Sequence, residues 1–328
     1  MKRRGFMMAC ALAILPLPAL AQDGGKVVIY TPNNAQAVEA VTEVFSEKAP
    51  ELSLSTITGG SGQLLRRVEA EASAPQGDLF WNSSENTLAG FREYFEPYAS
   101  PEAEAIQDDL KRPESPWTAT NLHVVVGMVN TDQLGELPAP TKWQDFLDPA
   151  WKGKVAIADP NNSSTAFTIL WGFEKLMGTE ALKQLAANVV VNSSASAVLR
   201  GVGQGEFAAG FTYESNAYAF VAGGQAEIAL LYPEEGTFTS PEFQALIKGG
   251  PAPEAARRAF DVMLSRDMQV ALLENTFRRP SRADIDVSEH VDLPALDSLK
   301  LFPTDEAEAA ANRDDFLARW QEYVKAGQ

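Results

Sequence analysis

Residues 154–177, Lys-Val-Ala-Ile-Ala-Asp-Pro-Asn-Asn-Ser-Ser-Thr-Ala-Phe-Thr-Ile-Leu-Trp-Gly-Phe-Glu-Lys-Leu-Met, change character twice. Val155 to Ala158 is short, apolar, partly β-branched and fenced by Gly153 and Asp159-Pro160, the pattern of a buried strand. Five small polar residues follow, Asn161 to Thr165, and then Phe167, Leu170, Trp171 and Met177 recur at roughly helical spacing. The stretch therefore reads as strand, polar loop, helix. A helix start carries unpaired N–H groups at the positive end of its dipole, and the loop adds hydroxyls and amides but no Lys or Arg. Such a corner grips an oxyanion. Asn and Ser are also the commonest helix caps, so capping alone accounts for the same residues.

The chain has 328 residues. Its first 21 form a basic head (Lys2, Arg3, Arg4), an apolar run from Met7 to Leu17 and a small-x-small site at Ala19-Leu20-Ala21, which reads as a secretory signal peptide cut before Gln22. The mature protein is expected in the periplasm. That apolar run is shorter than the ~20 residues a membrane span needs, so no direct membrane insertion is expected. Cys10, the only cysteine, lies inside the signal, leaving no disulfide and no cysteine-ligated metal. Roughly 300 residues exceed what one core usually organises, which implies two lobes. The charge is strongly acidic, −17 for the whole chain, arguing against nucleic acid as a partner. It does not exclude a small anion, because the global field is screened within about 8 Å at physiological salt.

The grammar of the opening stretch recurs. Lys26 to Tyr30 runs into Thr31-Pro32-Asn33-Asn34 and a helix carrying Val38, Val41 and Phe45; Leu52 to Ile57 runs into Thr58-Gly59-Gly60-Ser61-Gly62-Gln63; Asp78 to Trp81 leads to Asn82-Ser83-Ser84-Glu85. Later, Val189 to Val191 leads to Asn192-Ser193-Ser194-Ala195-Ser196, and Phe207 to Thr212 to Tyr213-Glu214-Ser215-Asn216. Alternating strands and helices imply an α/β fold with a mixed, mostly parallel sheet flanked by helices. Ligands then bind beyond the carboxyl ends of the strands, where these loops converge. Leu122 to Val129 is the most β-branched run and reads as a strand crossing between lobes; Pro233 to Thr237 returns the chain, Ala252 to Glu274 reads as helical, and Phe316, Leu317, Trp320 and Val324 share a helical face. These passages place lobe 1 at 22–121 plus 236–284 and lobe 2 at 122–235 plus 285–328.

Catalytic constellations are weak. Glu85, Asp159 and Glu214 sit near the inferred cleft, but acids at loop ends are common. In Gly59-Gly60-Ser61-Gly62-Gln63 a Gln stands where a nucleophile elbow needs its last Gly. His123 falls in an apolar strand, the setting of a packed core or hinge residue. Gly201-x-Gly203-x-Gly205 ends a helix where a dinucleotide fingerprint would begin one. The reading is a ligand trap rather than an enzyme, with no cofactor.

Asp159-Pro160 through Phe167, the segment from Ser194 to Gly210, Tyr232 to Thr237, and Phe277-Arg278-Arg279-Pro280 together resemble the periplasmic substrate-binding proteins of ABC importers, most specifically the ferric-binding-protein-like branch with its phosphonate and sugar-phosphate binders. The resemblance implies a two-lobe Venus-flytrap clamp, a monomer, that closes on one small ligand and hands it to a membrane permease. It also implies where iron ligands would fall. Asn34 stands in place of the family's His, Glu85 keeps the Glu, and Ala217-Tyr218 replaces the tyrosine pair. Two of four hard donors are thereby lost, which disfavours iron.

What remains implies a small organophosphorus anion, 2-aminoethylphosphonate or a hexose phosphate. Ser163, Ser164, Thr165, Ser193 and Ser194 are expected to hold the oxyanion from lobe 2, with Asn34, Ser61 and Gly62 closing from lobe 1 beside Asn82 and Ser83. Glu85 or Glu214 is expected to pair with a ligand amine, and Trp81, Tyr213 and Tyr218 to wall the pocket. A ferric iron carrier and an exported phosphate-ester hydrolase are the alternatives.

Overall fold

The computed structural model describes residues 25–327. The expected signal peptide and its expected cleavage before Gln22 lie outside the described residues. The strands and helices that build the fold, in chain order, are β1 (Lys26–Thr31), α1 (Ala35–Lys48), β2 (Ser53–Thr58), α2 (Ser61–Ala70), β3 (Leu79–Ser84), α3 (Glu85–Leu88), β4 (Phe95–Glu96) and β5 (Trp117–Asn130). There follow β6 (Val155–Ala158), α4 (Ser164–Met177), α5 (Thr179–Asn188), β7 (Val189–Asn192), α6 (Ala195–Gly203), β8 (Ala209–Tyr213), α7 (Glu214–Ala222) and β9 (Ile228–Leu231). The chain closes with β10 (Thr239–Ile247), α8 (Pro253–Leu264), α9 (Arg266–Thr276), β11 (Arg279–Pro280), α10 (Glu306–Ala311) and α11 (Arg313–Gly327).

The pattern of apolar residues sets each element's buried side. In α1 the buried positions Ala37, Ala40, Val41, Val44 and Phe45 form one helical stripe. By contrast α4 is buried without interruption from Ala166 to Phe173, as befits a helix apolar all round. Gly172 lets it approach Phe238, just ahead of β10: a Cβ there would stand 2.5 Å from the Phe238 ring. The helical passage expected at 252–274 is two helices, because Ser265 adopts an extended conformation and accepts the Met268 N–H as the cap of α9.

The sheet runs β2-β1-β3-β10-β5-β8-β6-β7. β1 is parallel to β2 and β3, and β6 to β7 and β8, while β10 and β5 are antiparallel to their neighbours. β5 is shared. Its first half pairs with β10 and β11, its second half with β8 and β9. Buried apolar side chains divide at the same point: Leu122 belongs to a cluster with Phe45, Leu79 and Phe260, and Val124 and Val125 to one with Phe167, Phe211 and Trp320. The chain entering β10 repeats the passage, Phe238 just ahead of the strand lying in one cluster and Phe243 within it in the other. The stretch after β11 is a third passage, bridged at Arg282 to Ile106 and at Leu301 to Thr237. No helix of the described residues is long and apolar enough to cross a membrane.

Candidate ligand-binding site

Between the two clusters lies a cavity of about 380 Å³. One side is made by Pro32, Asn33 and Asn34 before α1, Gly59 to Ser61 at the start of α2, and Asn82. The other is made by Asn162 to Thr165 at the start of α4, Ser194 to Ser196 at the start of α6, and Asn216 in the first turn of α7. Five helix starts thus converge on one space, each adding N–H groups and the positive end of a dipole. The caps are made in part by the side chains that face the cavity. Asn34 Oδ1 accepts the Ala37 N–H at 3.0 Å, Ser163 Oγ that of Ala166 at 3.2 Å, and Ser194 Oγ that of Ala197 at 3.2 Å. Gly60 caps α2 without a side chain. Across the gap, Ser61 Oγ and Ser164 Oγ are 3.4 Å apart.

The crossing strands supply the remaining wall: His123 from β5, Glu242 from β10, Tyr213 at the end of β8, and Arg278 just ahead of β11. Two bulges flank Glu242. On one side Phe243 pairs with Ser83 and Gln244 with Trp81, leaving Asn82 as the extra residue of β3; on the other Glu242 pairs with Asn121 and Phe243 with Ala119, leaving Thr120 extra in β5. Asn82 takes a left-handed backbone, φ 80°, and its Nδ2 donates to Asn33 Oδ1 at 3.1 Å. Phe277, φ 59°, ends α9 in the same conformation and turns the chain so that Arg278 faces the cavity and Arg279 the opposite way.

Burial governs the charges here. It pushes the Glu242 carboxyl up to about 8, against the pull of Arg278, and brings Arg278 down to about 10. It also drives His123 well below the ordinary imidazole range, with the Arg278 charge adding to the effect. The imidazole is held as a neutral ring: Asn121 Nδ2 faces Nε2 at 3.1 Å and Ser215 Oγ faces Nδ1 at 3.3 Å. Asn121 Oδ1 accepts from Thr120 Oγ1, which turns the amide nitrogen toward the ring. The Tyr213 ring stacks on the imidazole, centroids 4.2 Å apart.

Of the residues expected from sequence, Asn34, Ser61, Asn82, Ser163, Ser164, Thr165, Ser194 and Tyr213 line the cavity. Seven others lie outside it. Glu85 accepts from Arg112 Nε at 2.7 Å and Trp117 Nε1 at 3.2 Å. Glu214 is 1 % exposed and forms a two-bond pair with Arg279, at 2.7 and 2.9 Å, while Tyr232 donates to it at 2.6 Å. Neither carboxylate is free for a ligand amine. Tyr218 packs edge-on against Phe277, and Trp81 is buried behind the wall with the Arg278 guanidinium 6.0 Å from its ring. Gly62 turns toward Arg66, Ser83 is enclosed on the other face of β3, and Ser193 precedes the cap that does face the cavity. His123, Glu242, Arg278, Asn33 and Asn216 were not assigned from the sequence. The available signal is a single charged or titratable residue in each of two central strands, His123 in β5 and Glu242 in β10.

The profile of the family described as bacterial extracellular solute-binding protein matches residues 78–312. A Haemophilus influenzae protein of unassigned function is 30% identical over 277 residues, 80% of this chain and 79% of its own. A Salmonella typhi protein, provisionally named for 2-aminoethylphosphonate binding in the periplasm, is 23% identical over 305 residues, 85% of each chain. The structure of the periplasmic binding protein AfuA from Actinobacillus pleuropneumoniae, with exogenous fructose-6-phosphate bound, superposes with a TM-score of 0.84 at 25% identity, covering 92% of this chain and 99% of that one. The two-cluster α/β fold, its crossing strands and these matches together assign the chain: it belongs to the bacterial extracellular solute-binding protein family and is a periplasmic substrate-binding component of an ABC transporter.

Proposed function

We propose that the cavity captures a small organophosphorus anion, 2-aminoethylphosphonate or a hexose phosphate, and that the closed protein delivers it to the permease. The observation that carries this reading is the convergence of five helix starts with Ser61, Ser163, Ser164, Thr165 and Ser194 on one cavity. N–H groups, hydroxyls and dipole ends together stabilise a compact oxyanion, and charge-assisted hydrogen bonds are roughly twice as strong as neutral ones. Each lobe is organised around one of the two apolar clusters, lobe 1 as 22–121 plus 236–284 and lobe 2 as 122–235 plus 285–328. Closure then follows from a ligand that touches both walls at once.

Two alternatives are less well supported. A ferric carrier would use Glu85 and Tyr218, whose side chains are engaged with Arg112 and Phe277 instead. A hydrolase that used His123 as its base would need a free ring nitrogen, and both have partners.

The test is a calorimetric titration of ligand-free protein with 2-aminoethylphosphonate, glucose 6-phosphate, inorganic phosphate and ferric citrate. Sub-micromolar binding of either organophosphorus compound, about −8 kcal/mol or better, supports the reading. Binding of ferric citrate alone overturns it.

A further inference from the structure

The oxyanion end leaves one part of the cavity without a task. Glu242 and Arg278 line the same wall and are 4% and 7% exposed, yet among the described residues neither enters an ion pair, and the side chain that hydrogen-bonds toward the Glu242 carboxyl is the neutral Tyr213 hydroxyl. Arg278 Nη1 is buried without any partner. Burial already pushes the Glu242 carboxyl toward its neutral form, and a buried guanidinium is otherwise paired, because taking an ion out of water costs several kcal/mol that only a partner offsets; a ligand ammonium would draw the proton off Glu242 and a ligand carboxylate would pair Arg278. The arginine one residue on shows the contrast, since Arg279 is fully engaged by Glu214 and the Pro294 carbonyl.

The neighbours cannot serve as those partners. His123 is neutral and held at both nitrogens. The Tyr213 hydroxyl donates to Ser240 Oγ at 3.1 Å. The Trp81 ring beneath the guanidinium gives it a flat seat but no acceptor. One carboxyl group and one guanidinium fork therefore remain, Glu242 on β10 between the bulged strands β3 and β5, and Arg278 just ahead of β11.

We propose that this wall recognises an α-amino acid group, its ammonium on Glu242 and its carboxylate on Arg278, so that the ligand class is a short phosphono- or phospho-amino acid. The proposal rests on the organophosphorus reading and narrows it. A simple amine satisfies Glu242 and strands Arg278. Sugar hydroxyls give each charge a hydrogen bond but no counter-charge. An α-amino acid presents both charges on one carbon, and a planar guanidinium takes a carboxylate in two parallel bonds.

Isothermal titration of the ligand-free protein with phosphonoalanine, phosphoserine, 2-aminoethylphosphonate and glucose 6-phosphate tests this. Phosphonoalanine or phosphoserine is expected to bind at least tenfold tighter than 2-aminoethylphosphonate. Arg278→Gln is expected to abolish that preference, and Glu242→Gln to weaken all three amines. The comparison in the unaltered protein needs no variant, so a misfolded substitution does not decide it. If 2-aminoethylphosphonate or the sugar phosphate binds as tightly as the amino acids, or if the preference survives Arg278→Gln, the amino acid assignment falls and the organophosphorus reading stands. If none of the four binds, both fall.

Discussion

Ser61 and Ser164 face each other across the cavity, hydroxyl to hydroxyl at 3.4 Å, one from the first turn of α2 and the other from the first turn of α4. They join the walls built on the two apolar clusters by a single weak contact. A ligand oxygen between them would take both hydroxyls at once, which makes closure a consequence of occupancy.

The double substitution Ser163→Ala and Ser164→Ala separates capping from binding. Ser163 caps α4, so its loss lowers stability by about 1 kcal/mol; Ser164 makes no cap and costs little. Affinity for the proposed organophosphorus anion is expected to fall at least tenfold, the equivalent of about 1.4 kcal/mol or more. Urea unfolding reads the first effect and calorimetry the second. Unchanged affinity would move the anion away from α4.

The pair Glu214–Arg279 makes a different prediction. Glu214 begins α7 and Arg279 belongs to β11, so their two hydrogen bonds tie a helix on one cluster to the strand that pairs with the other half of β5. Both are buried, so Glu214→Ala leaves an uncompensated guanidinium and is expected to destabilise by about 3–5 kcal/mol. Adding Arg279→Ala to that variant removes the orphaned charge, and the double variant is expected to be less destabilised than the sum of the singles. A double-mutant cycle by urea unfolding measures the coupling; additive losses would show that the pair contributes nothing as a pair.

These residues also show what could be read from the sequence. Strand, polar loop and helix recur along the chain, and the helix-start serines are legible because a loop at a strand's carboxyl end has only one place to be. The faces are less legible. Glu85 and Glu214 follow strands in the same manner as cavity residues, but their partners Arg112 and Arg279 lie 27 and 65 residues away, and local spacing carries no trace of such a pairing. Glu242 poses the same difficulty. It alternates with Ser240 and Gln244 along β10, but whether that face meets a cavity or a covering layer depends on long-range pairing that the local pattern does not carry.

Glu242 gives the stability of the ligand-free protein a distinctive dependence on pH. Its carboxyl is raised from an ordinary 4.5 to about 8 by burial, with the nearby Glu306 adding to the rise and Arg278 opposing it. A group raised in the folded state binds its proton more tightly there than in the unfolded chain, so its contribution is fully present below pH 4.5 and is lost as the pH climbs through about 8. Tyr213, pushed up by burial, and His123, kept neutral, do not change charge in that window. Glu306 is itself raised by burial and contributes a slope of the same sign. In Glu242→Gln the share owed to Glu242 vanishes. The variant is expected to match the unaltered protein near pH 5 and to exceed it by on the order of 1–3 kcal/mol at pH 8, while binding amine-bearing ligands more weakly. Urea unfolding at a series of pH values reads the difference. Equal slopes for the two proteins would mean that Glu242 is ionised in the folded state at neutral pH, with Arg278 holding its charge.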